Sequence, residues 1–125
     1  MSQTQAAIGI IRRDGRCFAQ RRALDAAVLP GFWEFPGGKL EPLETPREAL
    51  LRELEEETGY RPERVEALPT LCPAYGEVTV LLHPFLCGGP GQPRTALAWG
   101  WFTPAELAHL PMLPANAALL PLLSP

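Results

Sequence analysis

Gly38–Tyr60 reads GKLEPLETPREALLRELEEETGY and sets seven glutamates and two arginines in one loop and one helix. The spacing predicts a helix that begins beside Thr45, because Thr45 and Glu48 form an S/T-x-x-E capping box and Pro46 falls at the first helical position. It ends at Gly59, the residue type that best tolerates the left-handed conformation past a helix terminus. Leu50, Leu51 and Leu54 share one arc of the wheel, and Glu53, Glu56 and Glu57 share the neighbouring arc at i, i+3 and i+4. Like charges at that spacing weaken a helix by a few tenths of a kcal/mol per pair, roughly. A solvated acidic face is the ordinary reading of such a run. The preceding Phe35-Pro36-Gly37-Gly38, read as a turn, shifts the balance. A glycine pair brings main-chain carbonyl and amide groups beside the carboxylates with no Cβ in the way. Clustered hard oxygens that leave room for bound water suit Mg²⁺ or Mn²⁺.

Upstream, Gln3–Arg12 carries the apolar run Ala6-Ala7-Ile8-Gly9-Ile10-Ile11, the pattern of a strand buried on both faces. Asp14-Gly15 marks a hairpin turn and Arg16–Gln20 the return strand. The adjoining Arg21-Arg22 pair reads on composition alone as solvated charge. Ala23–Gly31 is a loop closed by Pro30-Gly31. Phe32–Phe35 is a short aromatic strand with Trp33 and Phe35 on one face. Downstream, Val65–Leu71 is a weak strand. Val78–Leu86 is a strong one, in which Pro84 predicts a bulge or an edge position. His83, alone in that apolar run, reads as a satisfied strand residue. Gly88–Pro93 is loop, and Ala96–Phe102 is a last strand with Trp99 and Trp101 on one face. Thr103 and Glu106 form a second capping box ahead of a short helix. Pro111 and Pro114 enclose a turn, and Asn116–Leu123 is a terminal helix limited by Pro121. The order β-β-β-α-β-β-β-α-α belongs to an α/β (α+β) fold in which helices cover a mixed sheet.

At 125 residues the chain is one domain. It is 46% apolar and 20% charged, which is ordinary for a soluble globular protein. A net charge of −3 offers no basic surface for a polynucleotide backbone, so no long nucleic acid is expected as partner. An acidic protein that handles phosphates needs cations to neutralise them. The apolar runs are short and broken by proline, which predicts neither a signal peptide nor a membrane span. Cys17, Cys72 and Cys87 lack metal-ligand spacing, and an odd count argues against a disulfide framework; they read as buried thiols of a cytoplasmic protein. Oligomeric state stays open between monomer and homodimer.

Gly38, five residues, Glu44, seven residues and Arg52-Glu53-Leu54-Glu55-Glu56-Glu57-Thr58-Gly59-Tyr60 resemble the Nudix box, G-x5-E-x7-R-E-U-x-E-E-x-G-U with U a bulky aliphatic. Every charged and glycine position is filled, and Tyr60 is the one aromatic where an aliphatic is usual. Arg21-Arg22-Ala23, Glu34-Phe35-Pro36-Gly37-Gly38 and Pro114-Ala115-Asn116 extend the resemblance to Nudix hydrolases of the MutT type over most of the chain. The resemblance implies a Nudix-type α/β/α sandwich around a central mixed β-sheet, a single Nudix hydrolase domain spanning 1–125.

It also implies an activity: divalent-metal-dependent hydrolysis of a small-molecule nucleotide, dNTP and water giving dNMP and pyrophosphate, in sanitation of the nucleotide pool. Oxidised substrates such as 8-oxo-dGTP come first, with a cytidine or methylated dNTP or a nucleoside diphosphate derivative as alternatives. A non-catalytic nucleotide- or lesion-sensing module is a third reading, but it has no need of the whole charged set. On the same grounds Glu53, Glu56 and Glu57, with the Gly37 carbonyl, hold the metal, expected to be Mg²⁺ with Mn²⁺ as substitute. Glu53 orients or deprotonates the attacking water, and one carboxylate can serve as either base or ligand. Arg52 and Glu44 pair to fix the loop against the helix. Asn116 reads the base edge, since its amide both donates and accepts, although asparagine also commonly caps a helix. Phe35 supplies an apolar wall and Arg22 a sugar or phosphate contact. Two departures stand out: Ala96–Phe102 lacks the extra acidic residue that some MutT-type proteins carry, leaving Glu77 as the outside candidate, and Leu43 precedes Glu44 where glycine is common.

Overall fold

The apolar run Ala6–Ile11 forms the middle of the strand on which the other elements are laid. The computed structural model describes residues 3–72, 74–75 and 78–123. In chain order the strands are β1 (Thr4–Arg13), β2 (Arg16–Arg21), β3 (Trp33–Glu34), β4 (Gly37–Lys39), β5 (Arg64–Ala67), β6 (Ala74–Tyr75), β7 (Val78–Gly88) and β8 (Trp99–Phe102). The helices are α1 (Pro46–Thr58), α2 (Pro104–Leu107) and α3 (Pro114–Ala117), followed by a 3₁₀ turn at Leu120–Leu122. Among the described residues eight strands make one mixed sheet with the central path β3-β2-β1-β7-β5. β7 runs parallel to β1 from Thr4 opposite Val80 to Ile11 opposite Cys87. On its other side β1 is shared, with Ala6–Ile8 pairing β4 and Arg12–Arg13 pairing β2.

Strand alternation sends successive β1 side chains into different layers. Ala6, Ile8 and Ile10 pack with Leu107, Met112, Leu119 and Leu123 of the C-terminal segments. Ala7 and Ile11 pack with Leu50 and Leu54 of α1. The sheet therefore lies between α1 on one face and α2, α3 and the 3₁₀ turn on the other, the α/β/α sandwich that the sequence implies. No helix among the described residues is long and apolar enough to cross a membrane.

Several local expectations change. The glycine pair is strand rather than turn: Gly37 and Gly38 sit in β4 opposite Ile8 and Ala7. A Cβ on Gly37 would collide with the Ala7 carbonyl oxygen, so only glycine allows this approach. Pro84 is neither at an edge nor in a bulge; it is fully buried in a central strand with the β1 register unbroken. Both main-chain groups of a strand residue face the same neighbour. The Pro84 carbonyl accepts from Leu68, one residue beyond β5, so the missing N–H falls where the β5 ladder has already ended. The weak strand Val65–Leu71 shortens to β5 plus a single bridge from Leu71 to Leu82. β6, too short to carry a hydrophobic period, was not foreseen. Strand β8 begins at Trp99 rather than Ala96. The terminal helix starts early, at Pro114, with Pro121 relegated to the 3₁₀ turn. Leu51 lies off the buried arc and is 40% exposed, that arc being Ala49, Leu50, Leu54 and Thr58. Cys17 and Cys87 are buried free thiols, whereas Cys72 is exposed.

Candidate active site

Helix α1 is cut to length by its own ends. Thr45 and Glu48 make both bonds of the capping box, and Gly59 takes the left-handed conformation at φ 68° while its N–H donates to the Glu55 carbonyl. Leu50 and Leu54 dock the helix over Gly9: a Cβ there would come within 2.8 Å of Leu54 Cδ2. With the buried arc fixed, the neighbouring arc of glutamates is held above β4.

Two contacts define how the carboxylates meet the strand. The Gly37 N–H donates to Glu57 Oε2 at 2.8 Å. Gly38 faces the Glu53 carboxyl so closely that a Cβ there would stand 2.6 Å from it. Arg52 organises the rest. Its Nε and Nη2 clasp Glu44 at 2.7 and 2.8 Å in a forked pair, and Nη2 also donates to the Lys39 carbonyl at 3.1 Å. Its Nη1 donates to Glu53 at 2.9 Å and to Glu56 at 3.2 Å. This clasp, with a further bond from the Glu41 N–H, holds Glu44 down at about 2. The same carboxylate raises the Arg52 guanidinium above its ordinary value. The Glu44–Arg52 pair expected from the sequence is thus in place between loop and helix.

Glu57 is the unbalanced charge. Loss of water around its carboxyl, opposed by the Gly37 N–H and reinforced by Glu53, Glu34 and Glu56, pushes it up to about 7. The residue as a whole is exposed, so the cause is partial desolvation of the inward-turned carboxyl rather than burial of the side chain. Among the described residues no three His, Cys, Asp or Glu side chains are gathered into a finished ligand shell. Glu53 and Glu56 turn to Arg52, and Glu57 to Gly37. The donor set nevertheless fits a hard divalent cation. It consists of hard carboxylate oxygens gathered on one helix arc, beside a main chain left open by two glycines. Glu77 lies outside the described residues.

Across β3 the substrate candidates divide. Asn116 is buried, and its Oδ1 accepts the Phe35 N–H at 2.7 Å. It does not cap α3; that position belongs to Leu113, which makes no side-chain cap bond. Phe35 is a core residue packed with Ala6, Ile8 and Met112, so here it presents main chain rather than ring to a ligand. Arg22 is not simple solvated charge. Its Nε bonds Glu34 at 3.2 Å and its Nη1 donates to the Val28 carbonyl at 2.9 Å, while Arg21 holds Gly31 in the same way. A cavity of about 330 Å³ beside this loop is lined by Leu29, Leu113, Pro114 and Ala115, adjoining Asn116. Glu34 bonds Arg22 and stands close enough to Glu57 to help raise it, a place in the site that the Glu-Phe-Pro-Gly-Gly landmark does not announce. Its signal was a lone carboxylate in an aromatic strand directly before the glycine pair.

Against known proteins, residues 2–123 match the NUDIX domain. The CTP pyrophosphohydrolase of Escherichia coli strain K12 is 32% identical over 123 residues, covering 96% of this chain and 90% of the relative. The 8-oxo-dGTP diphosphatase of the same strain is 48% identical, but over 64 residues that cover 50% of this chain and 49% of the relative. Among solved structures, the crystal structure of MutT NUDIX hydrolase from Burkholderia pseudomallei superposes with a TM-score of 0.85 at 29% identity, covering 97% of this chain and 98% of that one.

Proposed function

This chain belongs to the NUDIX family and is a Nudix hydrolase; from that premise we propose that it cleaves small nucleoside triphosphates to the monophosphate and pyrophosphate, with Mg²⁺ as the metal. Nudix hydrolases use divalent metals. The observation that carries the reading is the convergence of Glu53 and Glu57 on Gly38 and Gly37, with Glu57 raised to about 7 by desolvation, reinforced by the neighbouring carboxylates. Glu53, Glu56, Glu57 and the Gly37 carbonyl would hold the ion, which supplies charge neutralisation to the phosphates and acidity to bound water. Glu53 presents the water or takes its proton. Arg52, clasped by Glu44, fixes where Glu53 and Glu56 point.

For the base, Asn116 is the proposed reader. Its Oδ1 keeps one lone pair after accepting from Phe35, and its Nδ2 donates to no other described residue. That pair matches the donor–acceptor edge of 8-oxoguanine, the first substrate we propose. The same pair matches the edge of cytosine. The nearly full-length similarity to a CTP pyrophosphohydrolase, against a half-length match to the 8-oxo-dGTP diphosphatase, makes CTP and dCTP the second reading.

The test is a nucleotide panel assayed for pyrophosphate release with Mg²⁺, run on the native chain and on Glu53→Gln. The variant should lose at least about a hundred-fold in kcat with an unchanged melting profile. Release by the variant at near the native rate, or no release from any nucleotide by the native chain, would remove this reading.

A further inference from the structure

Away from the carboxylates, three strands end level at the opposite end of β1. Ile11 pairs with Cys87, so Arg12 lies beside Gly88, and Gly88 pairs with Arg64 across β5. The row Arg12–Gly88–Arg64 follows the row Ile10–Leu86–Glu66. Ile10 and Leu86 pack with the C-terminal segments, whereas Ile11 and Cys87 pack towards α1. Alternation therefore places both rows on the sheet face away from α1. Gly88 leaves room for the Arg64 guanidinium above the strand: a Cβ there would stand 2.6 Å from Arg64 Nη2. A cavity of about 300 Å³ opens at this row, and a second of about 320 Å³ adjoins it, sharing Arg12 and Arg64.

The two arginines differ from their neighbours. Arg13 donates to the Gly89 and Gly91 carbonyls and lies over the Trp101 ring, and Arg61 is paired with Glu55. Arg12 and Arg64 make no ion pair with another described residue, although Glu66 and Asp14 border the cavities.

We propose that the Arg12–Gly88–Arg64 row is a second anion site, which takes the phosphate or diphosphate group of a small molecule. Two guanidinium forks on either side of a bare strand position present planar, directional donors that match tetrahedral oxyanions. The bordering Glu66 and Asp14 carboxylates exclude a long polyanion and leave space for one or two phosphates. The site is separate from the hydrolytic centre. Ala7 pairs with Gly38, and five strand residues onward to Arg12 span roughly 16 Å. It also does not depend on what the carboxylates do.

Inorganic diphosphate titrated into metal-free protein in EDTA tests it, followed by calorimetry and by backbone amide shifts. The expected result is saturable binding with shifts at Arg12, Arg64 and Gly88, unchanged in Glu53→Gln. The double variant Arg12→Gln/Arg64→Gln should weaken it by at least about ten-fold. Gly88→Ala keeps both charges and displaces only the Arg64 guanidinium, and it too should weaken binding while melting like the native chain. Nucleoside 5′-monophosphate and glycerol phosphate, as competing arms, separate a nucleotide source of the phosphate from a lipid headgroup source. Absence of saturable binding, shifts confined to Gly37, Gly38 and α1, or undiminished binding in either variant would overturn the site.

Discussion

At the scale of single residues, Glu57 decides how the site responds to pH. A carboxyl whose folded-state value is raised holds its proton more tightly folded than unfolded. The stability it lends is full below its ordinary value of 4.5 and is withdrawn as pH climbs through about 7. Glu44 has the opposite sign. Held at about 2 by Arg52, it stabilises above its ordinary 4.5, and that contribution is lost as pH falls towards 2. The metal-free chain should therefore lose melting temperature between pH 5 and 7.5, and Glu57→Gln should flatten that slope. Because a metal needs the deprotonated carboxyl, Mg²⁺ affinity measured by calorimetry should tighten up to about pH 7 and then level. An affinity that stays constant from pH 5.5 to 8 would rule out Glu57 as a ligand. Asn116 tests the other half of the site. Asn116→Ala strips the partner from the buried Phe35 N–H, which costs about 1–3 kcal/mol in chemical denaturation. It should reduce turnover of 8-oxo-dGTP more than that of dGTP, and an equal loss on both would leave Asn116 a structural tie only.

At the scale of elements, helix α1 and strand β4 are specified in different ways, and the difference explains what could be read from the sequence. Thr45→Ala removes one bond of a box that is fully formed and should cost about 1 kcal/mol of stability with little change in kcat. Gly37→Ala forces a Cβ onto the Ala7 carbonyl and should cost about 3 kcal/mol or more, or prevent folding. If Gly37→Ala melted like the native chain, the close approach of β4 to β1 would be wrong. The helix boundaries were legible because Thr45, Pro46, Glu48 and Gly59 act within one turn of themselves. The same holds for Thr103 and Glu106, and for the buried strand at Ala6–Ile11, whose apolar run needs no partner to be recognised. Pro84 was misread because its meaning depends on where β5 stops, a fact set by residues far along the chain. The glycine pair looked like a turn because local propensity cannot register a carbonyl arriving from β1. In the site, the carboxylates were visible as spacing within one helix, and the Glu44–Arg52 pair through the resemblance to the Nudix box. The links Arg22–Glu34 and Asn116–Phe35 were not, since each joins segments that only the fold brings together.

At the scale of the whole molecule, the sheet separates two cores, and each supports one half of the candidate site. Leu54 belongs to the α1 core and carries Glu53 beside it; Leu119 belongs to the opposite core and lies one turn past Asn116. Both are fully buried, so Leu54→Ala and Leu119→Ala should each destabilise by about 2–5 kcal/mol. Stability alone would not tell them apart, but their functional signatures should diverge at a temperature where both remain folded. Leu54→Ala loosens the helix over β4, and several-fold weaker Mg²⁺ binding should follow while the nucleotide KM at saturating metal stays near native. Leu119→Ala slackens α3 behind the Phe35 main chain, so the nucleotide KM should rise several-fold with Mg²⁺ affinity unchanged. If both variants weakened metal and nucleotide to the same extent, the sheet would be transmitting strain between the cores rather than insulating one from the other. The division into a metal half and a base half would then fail. If the two losses stay separate, the sheet, rather than any loop, is what insulates the carboxylate cluster on α1 from the segment that holds Asn116.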